Sequence, residues 1–357
     1  MQDNTARLTS LEPPPLPRDI RKTGLDPDFW YPVARSAEVK RGKAWACAFA
    51  GEPIVLVRGK DERVFALEDR CAHRQVPLST GVVDGDGLRC GYHGWTYDSS
   101  GKCTNVPYLS ECGTRPNNVR SYPCREAYGL VFVFPGDAAR AGEAAFPEVP
   151  SADDRHYKTR YLNRRVNCHY SFMHENLMDM NHQFLHRRLM GGIKTIFLGS
   201  RVGDTWAEAT YTFKRNSGKQ PLGERFMINR SAEPAQEGER DRMVIRTDYP
   251  YQSLKFWTAG AEHPALDLWN CYIPVDRAQR VNHTYGMIMI RRPSKAFLLD
   301  LAWPVIVWFT NGIFAEDRVI CELEQAAFDA QGKDCNQEIF PAIRNLRRVL
   351  VDNGRPM

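Results

Sequence analysis

The sequence contains the segment Cys71-Ala72-His73 and, after sixteen intervening residues, the segment Cys90-Gly91-Tyr92-His93-Gly94-Trp95. Each segment offers one thiol and one imidazole, so the two loops together provide four soft or borderline metal ligands. This set of residues suits a 2Fe-2S cluster with two cysteines on one iron and two histidines on the other. In such a cluster, neutral imidazoles in place of thiolates raise the reduction potential. The predicted ligands are Cys71, His73, Cys90 and His93.

Tetrahedral zinc is the alternative for these four residues. Zinc sites usually pair their ligands as Cys-x2-Cys and His-x3-5-His, and the Cys-x-His and Cys-x2-His pairs of this chain match that spacing poorly. With its flanking Gly94, Trp95 and Tyr97, the motif resembles the Rieske 2Fe-2S signature of ring-hydroxylating oxygenases. Rieske proteins of respiratory complexes usually carry one more cysteine in each loop, where this chain has Val76 and Tyr92. This difference favours a soluble ferredoxin or an oxygenase.

A second candidate site lies in the segment His174-Glu175-Asn176-Leu177-Met178-Asp179-Met180-Asn181-His182-Gln183-Phe184-Leu185-His186. Asp179, His182 and His186 are spaced i, i+3 and i+7, so a helix would present them on one face. Two imidazoles and one carboxylate form the facial triad of non-haem Fe(II) oxygenases, which leaves positions open for O₂. A His-x3-His pair alone is a weak signal, because exposed or hydrogen-bonded histidines show the same spacing. The Rieske motif upstream makes an iron site the favoured interpretation.

From about Trp30 onward, the chain resembles the α-subunits of Rieske non-haem iron oxygenases, whose iron helix reads Asn-x2-Asp-x2-His followed by a second His. The residues that match this pattern are Asn176, Asp179, His182 and His186. Many members have four residues between the two histidines, whereas this chain has three. The resemblance implies that His182 and His186 bind a mononuclear Fe(II), with His169 and His174 as lower-ranked alternatives. It also implies catalytic roles for Asp179 and Asn176.

The third iron ligand is expected in the C-terminal part, where the segment from Ala315 to Gln325 resembles the ligand helix of the family. The resemblance favours Asp317. Spacing alone does not separate Asp317 from Glu316 or Glu322, because any acidic helix face shows such a run.

Short β-rich runs between Trp30 and Phe134 alternate with Gly- and Asp-containing turns, which predicts a small all-β module. A linker rich in Pro and small residues follows, and then a predicted helical segment from about Cys168 to Met190. The later strand candidates are Trp206 to Phe213, Met243 to Thr247, Leu268 to Val275 and Thr284 to Ile290. The polar segment from Ser231 to Asp241 is predicted to be an exposed loop.

The predicted fold class is therefore α+β. With the resemblance, it becomes an N-terminal all-β Rieske domain followed by an antiparallel-sheet helix-grip catalytic domain. The expected organisation is an N-terminal extension (1–27), a Rieske 2Fe-2S domain (28–140) and a catalytic mononuclear iron domain (141–357).

The bulk properties of the 357 residues agree with a globular protein that stays in the cytoplasm. The net charge of +5 is spread along the chain, which argues against a nucleic-acid partner. The first 25 residues lack a basic start followed by an apolar run. The apolar stretch from Ala296 to Ala315 carries Asp300, Pro304 and Asn311, so a buried core helix is expected and membrane association is a minor alternative.

The resemblance implies a homotrimer in which Asp179 hydrogen-bonds His182 of its own chain and His73 or His93 of the adjacent chain. It implies a small organic substrate, O₂, and a separate ferredoxin or NAD(P)H-dependent reductase, in keeping with the lack of a Gly-x-Gly-x2-Gly fingerprint. The length favours the vanillate/dicamba O-demethylase-like branch. The expected pocket residues are Phe256, Trp257, Trp269, Ile288 and Ile313.

Two alternatives remain at the level of sequence. The first is a ring cis-dihydroxylating dioxygenase or desaturase on the same scaffold, which shares the metal ligands. The second is a Rieske electron carrier without oxygenase activity, whose second domain would be an interaction module. The His-x3-His segment with its Asp argues against the carrier.

Overall fold

A computed structural model describes residues 19–109, 117–217, 219–228 and 240–357. Most of the predicted exposed loop from Ser231 to Asp241, and the greater part of the N-terminal extension, lie outside these residues. The described part of the extension is packed on the domain that follows the linker: Ile20 and Arg21 are buried, and the first strand pairs with the last one.

The first part of the chain is built from short antiparallel strands. They are β1 (Thr23–Gly24), β2 (Tyr31–Arg35), β3 (Ala44–Phe49), β4 (Glu52–Arg58), β5 (Val64–Glu68), β6 (Val82–Asp84), β7 (Gly87–Arg89), β8 (Thr96–Tyr97), β9 (Cys103–Asn105), β10 (Ser121–Tyr122), β11 (Cys124–Ala127) and β12 (Leu130–Val133). Three small sheets result, with strand orders β10-β5-β4-β3, β11-β12-β2 and β6-β7-β8-β9. The predicted all-β module is confirmed.

One large antiparallel sheet forms the second part. Its strands are β13 (Tyr157–Val166), β14 (Gly192–Val202), β15 (Trp206–Ser217), β16 (Arg242–Asp248), β17 (Tyr251–Trp257), β18 (Leu266–Pro274) and β19 (Asn282–Arg291), in the order β13-β19-β18-β17-β16-β15-β14. A two-residue strand, β20 (Arg355–Pro356), pairs with β1. The central strands β18 and β19 are almost wholly buried, as expected for a sheet covered by other elements.

Within the residues that the structure describes, six α-helices accompany the sheets: α1 (Pro150–Asp153), α2 (Tyr170–Met178), α3 (Arg187–Met190), α4 (Leu222–Met227), α5 (Phe297–Gln331) and α6 (Pro341–Asn353). Helix α5 ends at Gly332, which has the left-handed conformation that glycine adopts without strain. Helix α6 starts with Pro341 at a position where no backbone N–H is needed. The α+β fold with an antiparallel catalytic sheet is confirmed.

The structure corrects two helix predictions. The segment from Cys168 to Met190 is not one helix: α2 ends at Met178, a 3₁₀ helix spans Met180–Phe184, and α3 begins at Arg187. The break is at Asp179, whose extended backbone lets its carboxylate cap the 3₁₀ helix at Asn181. Helix α5 is not wholly a core helix either, since Leu301 and Trp308 are 77% and 68% exposed.

Candidate active site

The structure brings together the two Cys-His loops. Cys71 and His73 follow β5, and Cys90 and His93 lie between β7 and β8. The two thiols are almost wholly buried, whereas the imidazole rings lie nearer the surface, with centroids 4.5 Å apart. Burial raises the pKa of the Cys90 thiol and the adjacent Cys71 adds to the rise, although backbone hydrogen bonds from Tyr92 and His93 oppose it. A bound metal ion would take the Cys90 sulfur as the thiolate, because thiols that coordinate a metal lose their proton.

Aromatic residues hold the loops in place. Tyr97 Oη lies 3.3 Å from Cys71 Sγ and accepts a hydrogen bond from the Ala72 amide at 3.1 Å. The Trp95 ring stacks on His73 with centroids 4.8 Å apart, and its Nε1 donates to Tyr108 Oη at 2.8 Å. These contacts fix the orientation of one thiol and one imidazole before any metal binds.

The donor set fits a 2Fe-2S cluster with two thiolates and two neutral imidazoles. His73 Nδ1 is buried and has no hydrogen-bond partner within the described residues, as expected for an atom that binds a metal instead. Burial and the neighbouring His93 lower the pKa of His73, which favours the neutral, ligating form. Gly94 has a φ of +75°, and a Cβ there would lie 2.9 Å from Pro107, so a glycine is needed where the second loop turns.

A second cluster is formed by His182, His186 and Asp317, whose ligand atoms all lie within 4.8 Å of one another. His186 Nε2 is 3.1 Å and His182 Nε2 is 3.9 Å from Asp317 Oδ1. Asp317 Oδ1 is buried and accepts no hydrogen bond from the residues that the structure describes. Two imidazoles and one carboxylate that face a common point fit a facial triad for Fe(II).

The other nitrogen of each histidine is already occupied. His182 Nδ1 donates to the backbone carbonyl of Asp179, and His186 Nδ1 donates to Glu316 Oε2 at 2.9 Å. These hydrogen bonds fix the tautomer in which Nε2 carries the free lone pair, and both Nε2 atoms face Asp317.

The electrostatics of the two histidines differ. Burial lowers the pKa of His182, and the carboxylate of Asp317 only partly offsets this. Burial also acts against protonation of His186, but the nearby carboxylate of Asp317 and, after it, the hydrogen-bonded carboxylate of Glu316 raise its pKa above the ordinary value. A divalent cation between the two Nε2 atoms and Asp317 would be attracted by the carboxylate and would favour the neutral form of both imidazoles.

The geometry separates the candidates that spacing left open. Glu316 contacts the far side of His186, and Glu322 accepts a hydrogen bond from the Asn167 amide at 3.0 Å. His169 caps the start of α2, and His174 packs edge-on against Tyr272. Burial lowers the pKa of both histidines, that of His174 to about 3. Neither histidine belongs to the cluster of His182, His186 and Asp317.

Asp179 contacts His182 through a different group from the one expected. The contact of Asp179 with His182 is made by its backbone carbonyl, because the chain leaves helical geometry there, and not by its carboxylate. The carboxylate accepts hydrogen bonds from the Asn181 amide and side chain, each at 2.8 Å. Asn176 and Asp179 line an outer groove of about 680 Å³. We call it the Asp179 groove.

A cavity of about 340 Å³ adjoins the second cluster, within the usual size range of small-molecule sites. His182 and His186 line this cavity. Its apolar lining residues are Met180, Met190, Ile193, Phe213, Ile228, Met243 and Phe256. Its polar lining residues are Gln183, Thr195, Arg215, Gln220, Glu224 and Asp241. His182 lines both this cavity and the Asp179 groove, so its imidazole lies between the two.

Of the five predicted pocket residues, only Phe256 lines this cavity. Trp257 and Trp269 line a different cavity, of about 600 Å³, and Ile288 belongs to the buried core. Sequence reasoning did not find Glu316 as the partner of His186, nor Arg215, which pairs with Glu224 at 2.6 Å in the cavity wall. The sequence could have indicated the role of Glu316, because Glu316 directly precedes the predicted ligand Asp317. No sequence pattern indicated Arg215.

The comparisons with known proteins agree with both clusters. Residues 29–123 match the Rieske [2Fe-2S] domain, and residues 166–349 match the vanillate O-demethylase oxygenase C-terminal domain. The chain is 30% identical to a 4beta-methylsterol monooxygenase of Methylococcus capsulatus, covering 98% of this chain and 94% of the relative. It is 31% identical to a vanillate O-demethylase oxygenase subunit of a Pseudomonas species, covering 83% and 85% of the two chains.

A solved structure, dicamba monooxygenase bound to dicamba, has a similar fold. Its TM-score is 0.73 at 24% identity, and the likeness covers 92% of this chain and 97% of that chain. The fold is therefore shared along nearly the whole length of both chains.

Proposed function

Because the chain belongs to the Rieske non-haem iron oxygenases and is the oxygenase component of a multicomponent system, we propose that it monooxygenates a methyl group on a largely apolar ring compound. The family implies a 2Fe-2S cluster, a mononuclear iron, O₂, a small-molecule substrate and a separate reductase or ferredoxin. The proposal concerns the substrate class, the site residues and the assembly.

The cluster of His182, His186 and Asp317 beside a largely apolar cavity carries this proposal. The apolar side chains suit a ring skeleton, and Gln183, Thr195 and Arg215 offer hydrogen bonds to one polar group of it. Two relatives that match most of the chain are named for a methylsterol and for an O-demethylation, both of which involve a methyl group. We extend that class to this chain.

The proposed roles of the residues follow from their contacts. Cys71, Cys90, His73 and His93 hold the cluster, and His182, His186 and Asp317 hold the iron. When both groups are bound, they supply the electrons and the open coordination site that O₂ activation requires. Glu316 and the carbonyl of Asp179 keep the two imidazoles oriented, and the apolar wall keeps water from the reacting carbon.

We also propose a homotrimer in which the Asp179 groove receives the His73–His93 edge of a neighbouring chain. Tyr92 and Tyr108 beside that edge are exposed, and so is Phe184 in the groove. Apolar side chains on both surfaces would be buried by such a contact. A cytoplasmic location is proposed as well, since the electron donor draws on NAD(P)H.

The test combines metal analysis with product analysis. We expect about three irons and two acid-labile sulfides per chain, falling to about two irons with an intact cluster spectrum in His182→Ala. An electron carrier would contain about two irons in both proteins, and zinc without sulfide would contradict the assignment altogether.

With a reducing system, ¹⁸O₂ and a panel of methylated ring compounds, monooxygenation places one labelled oxygen on the methyl carbon, which is recovered as a hydroxymethyl group or, after demethylation, as trapped formaldehyde. Two labelled oxygens would indicate cis-dihydroxylation, and a dehydrogenated product without label would indicate a desaturase.

A further inference from the structure

The N-terminal half of α5 presents a continuous apolar face to solvent. The exposed side chains on this face are Phe297, Leu298, Leu301, Pro304, Val305 and Trp308. At 100° per residue they fall on one side of the helix, opposite the buried Leu299, Ala302 and Ile306. We call this the α5 apolar face. Only 28% of the most apolar 18-residue window of the helix is buried, which is unusual for a core helix.

The α5 apolar face lies next to the wall of the active-site cavity. Helix α4 packs against α5 so closely that a Cβ on Gly223 would lie 2.4 Å from Phe309. Leu222 and Phe226 of α4 are also exposed and enlarge the apolar surface. On its other side α4 contributes Glu224 to the cavity that His182 and His186 line. One short helix thus separates the exposed apolar surface from the proposed substrate site.

The charges around the α5 apolar face are mainly basic. Asp300 is the one charged residue from Ala296 to Ala315, and it is paired with Lys158 and Arg292. Among the described residues, further exposed cations are Lys295, two residues before α5, Lys219, three residues before α4, and Arg225 within α4. Lys158 also lies 4.3 Å from the centre of the Trp303 ring. Apolar side chains with a Trp and a rim of Lys and Arg are the composition of an interfacial membrane helix.

We propose that the α5 apolar face docks on the surface of an anionic phospholipid bilayer and lies in its interfacial plane. The basic rim complements the negative lipid headgroups, and Trp308, Leu301 and Phe297 enter the acyl boundary. The helix does not cross the bilayer, because its C-terminal half carries Asp317 in the metal cluster. An apolar substrate held in the lipid then reaches the cavity beside α4 without passing through water.

Membrane docking leaves the proposed trimer contact free. Glu324 lines the Asp179 groove and lies sixteen residues beyond Trp308 on the same helix, which corresponds to about 24 Å at 1.5 Å per residue. The α5 apolar face and the groove therefore occupy different ends of α5, and a neighbouring chain in the groove does not cover the face.

The experiment is vesicle co-sedimentation of the full holo-protein, with vesicles of mixed phosphatidylglycerol and phosphatidylcholine or of phosphatidylcholine alone. We expect binding that is stronger to the anionic vesicles and weakened by salt. The double variant Leu301→Glu/Trp308→Glu should lose at least about tenfold in binding. Leu198→Glu, which changes an exposed leucine on β14, is the matched control and should bind like the wild type.

Three results would overturn the inference: no binding by the wild-type protein, equal loss of binding in Leu198→Glu, or a trimer that dissociates in the double variant. The last result would show that the face is an interface between copies of the chain. Circular dichroism melting of each variant verifies that it is folded. Because binding is measured without turnover, its outcome is independent of whether the proposed substrate class is correct.

Discussion

Glu316 accepts a hydrogen bond from His186 Nδ1 at 2.9 Å, while Nε2 of the same ring lies 3.1 Å from Asp317. Two successive residues of α5 thus contact opposite nitrogens of one imidazole. One carboxylate orients the ring and the other shares the proposed iron with it, a division of roles that commonly tunes metal affinity.

Glu316→Gln tests the orienting role. The amide keeps the size of the side chain but loses the charge-assisted hydrogen bond, so we expect Fe(II) affinity to fall roughly 10- to 100-fold. The visible spectrum of the 2Fe-2S cluster should be unchanged, since the substitution lies outside the two loops that carry Cys71, His73, Cys90 and His93. Fe(II) titration of the metal-depleted protein measures this effect. Glu322→Gln is the control on the same helix, and equal losses in both variants would argue against a specific role for Glu316.

Asp179→Asn tests whether the Asp179 groove transmits electrons between chains. If the carboxylate accepts a hydrogen bond from His73 or His93 of a neighbour, its loss should slow single-turnover oxidation of the reduced protein by about tenfold or more. Iron content and cluster spectrum should stay at wild-type values. Glu324→Gln changes another groove residue as the control. Sedimentation velocity of both variants separates loss of the trimer from loss of electron transfer.

His174 makes the protein sensitive to acid. Its pKa is about 3 in the folded protein because burial disfavours the cation, compared with about 6.5 when unfolded. The unfolded state therefore binds more protons below pH 6.5, so stability falls as the pH drops from 6.5 toward 3, by up to about 1.4 kcal/mol per pH unit. Urea melts of His174→Gln should show a shallower loss over this range. An unchanged slope would assign the acid sensitivity to other groups.

A buried charge cluster links Arg21 of the N-terminal extension to Glu175 on α2 and Arg347 on α6. Glu175 lies 2.7 Å from Arg21 Nη2 and 2.8 Å from Arg347 Nε. Burial opposes ionisation of Glu175, but the two guanidinium groups outweigh it and lower its pKa. Glu175→Ala removes the ion-pair partner of the buried Arg21 and leaves Arg347 paired with Asp334 at 3.3 Å, so we expect the unfolding free energy to fall by about 3–5 kcal/mol. In denaturant melts, Glu262→Ala, at a side chain that is 90% exposed, should cost no more than about 0.5 kcal/mol.

Local sequence pattern was sufficient for several elements of the fold. The predicted strands from Trp206, Met243, Leu268 and Thr284 correspond to β15, β16, β18 and β19, because side chains in these strands alternate or are buried throughout. The interior strand β17 was not predicted. Strands β13 and β14 gave no such signal. They are the two edges of the seven-stranded sheet, and edge strands carry charged residues such as Arg164 and Arg165.

By itself, the sequence determined the chemistry of the protein, because ligand types and their spacing in Cys71-Ala72-His73 and Cys90-Gly91-Tyr92-His93 are local properties of the chain. The tertiary structure decided how distant segments meet. The choice among Glu316, Asp317 and Glu322 depends on the rotation of α5 relative to a loop some 130 residues earlier, which spacing does not encode. The exposure of the α5 apolar face likewise depends on which elements pack beside the helix. The sequence pattern of an apolar helix is the same whether neighbouring elements cover it or leave it exposed.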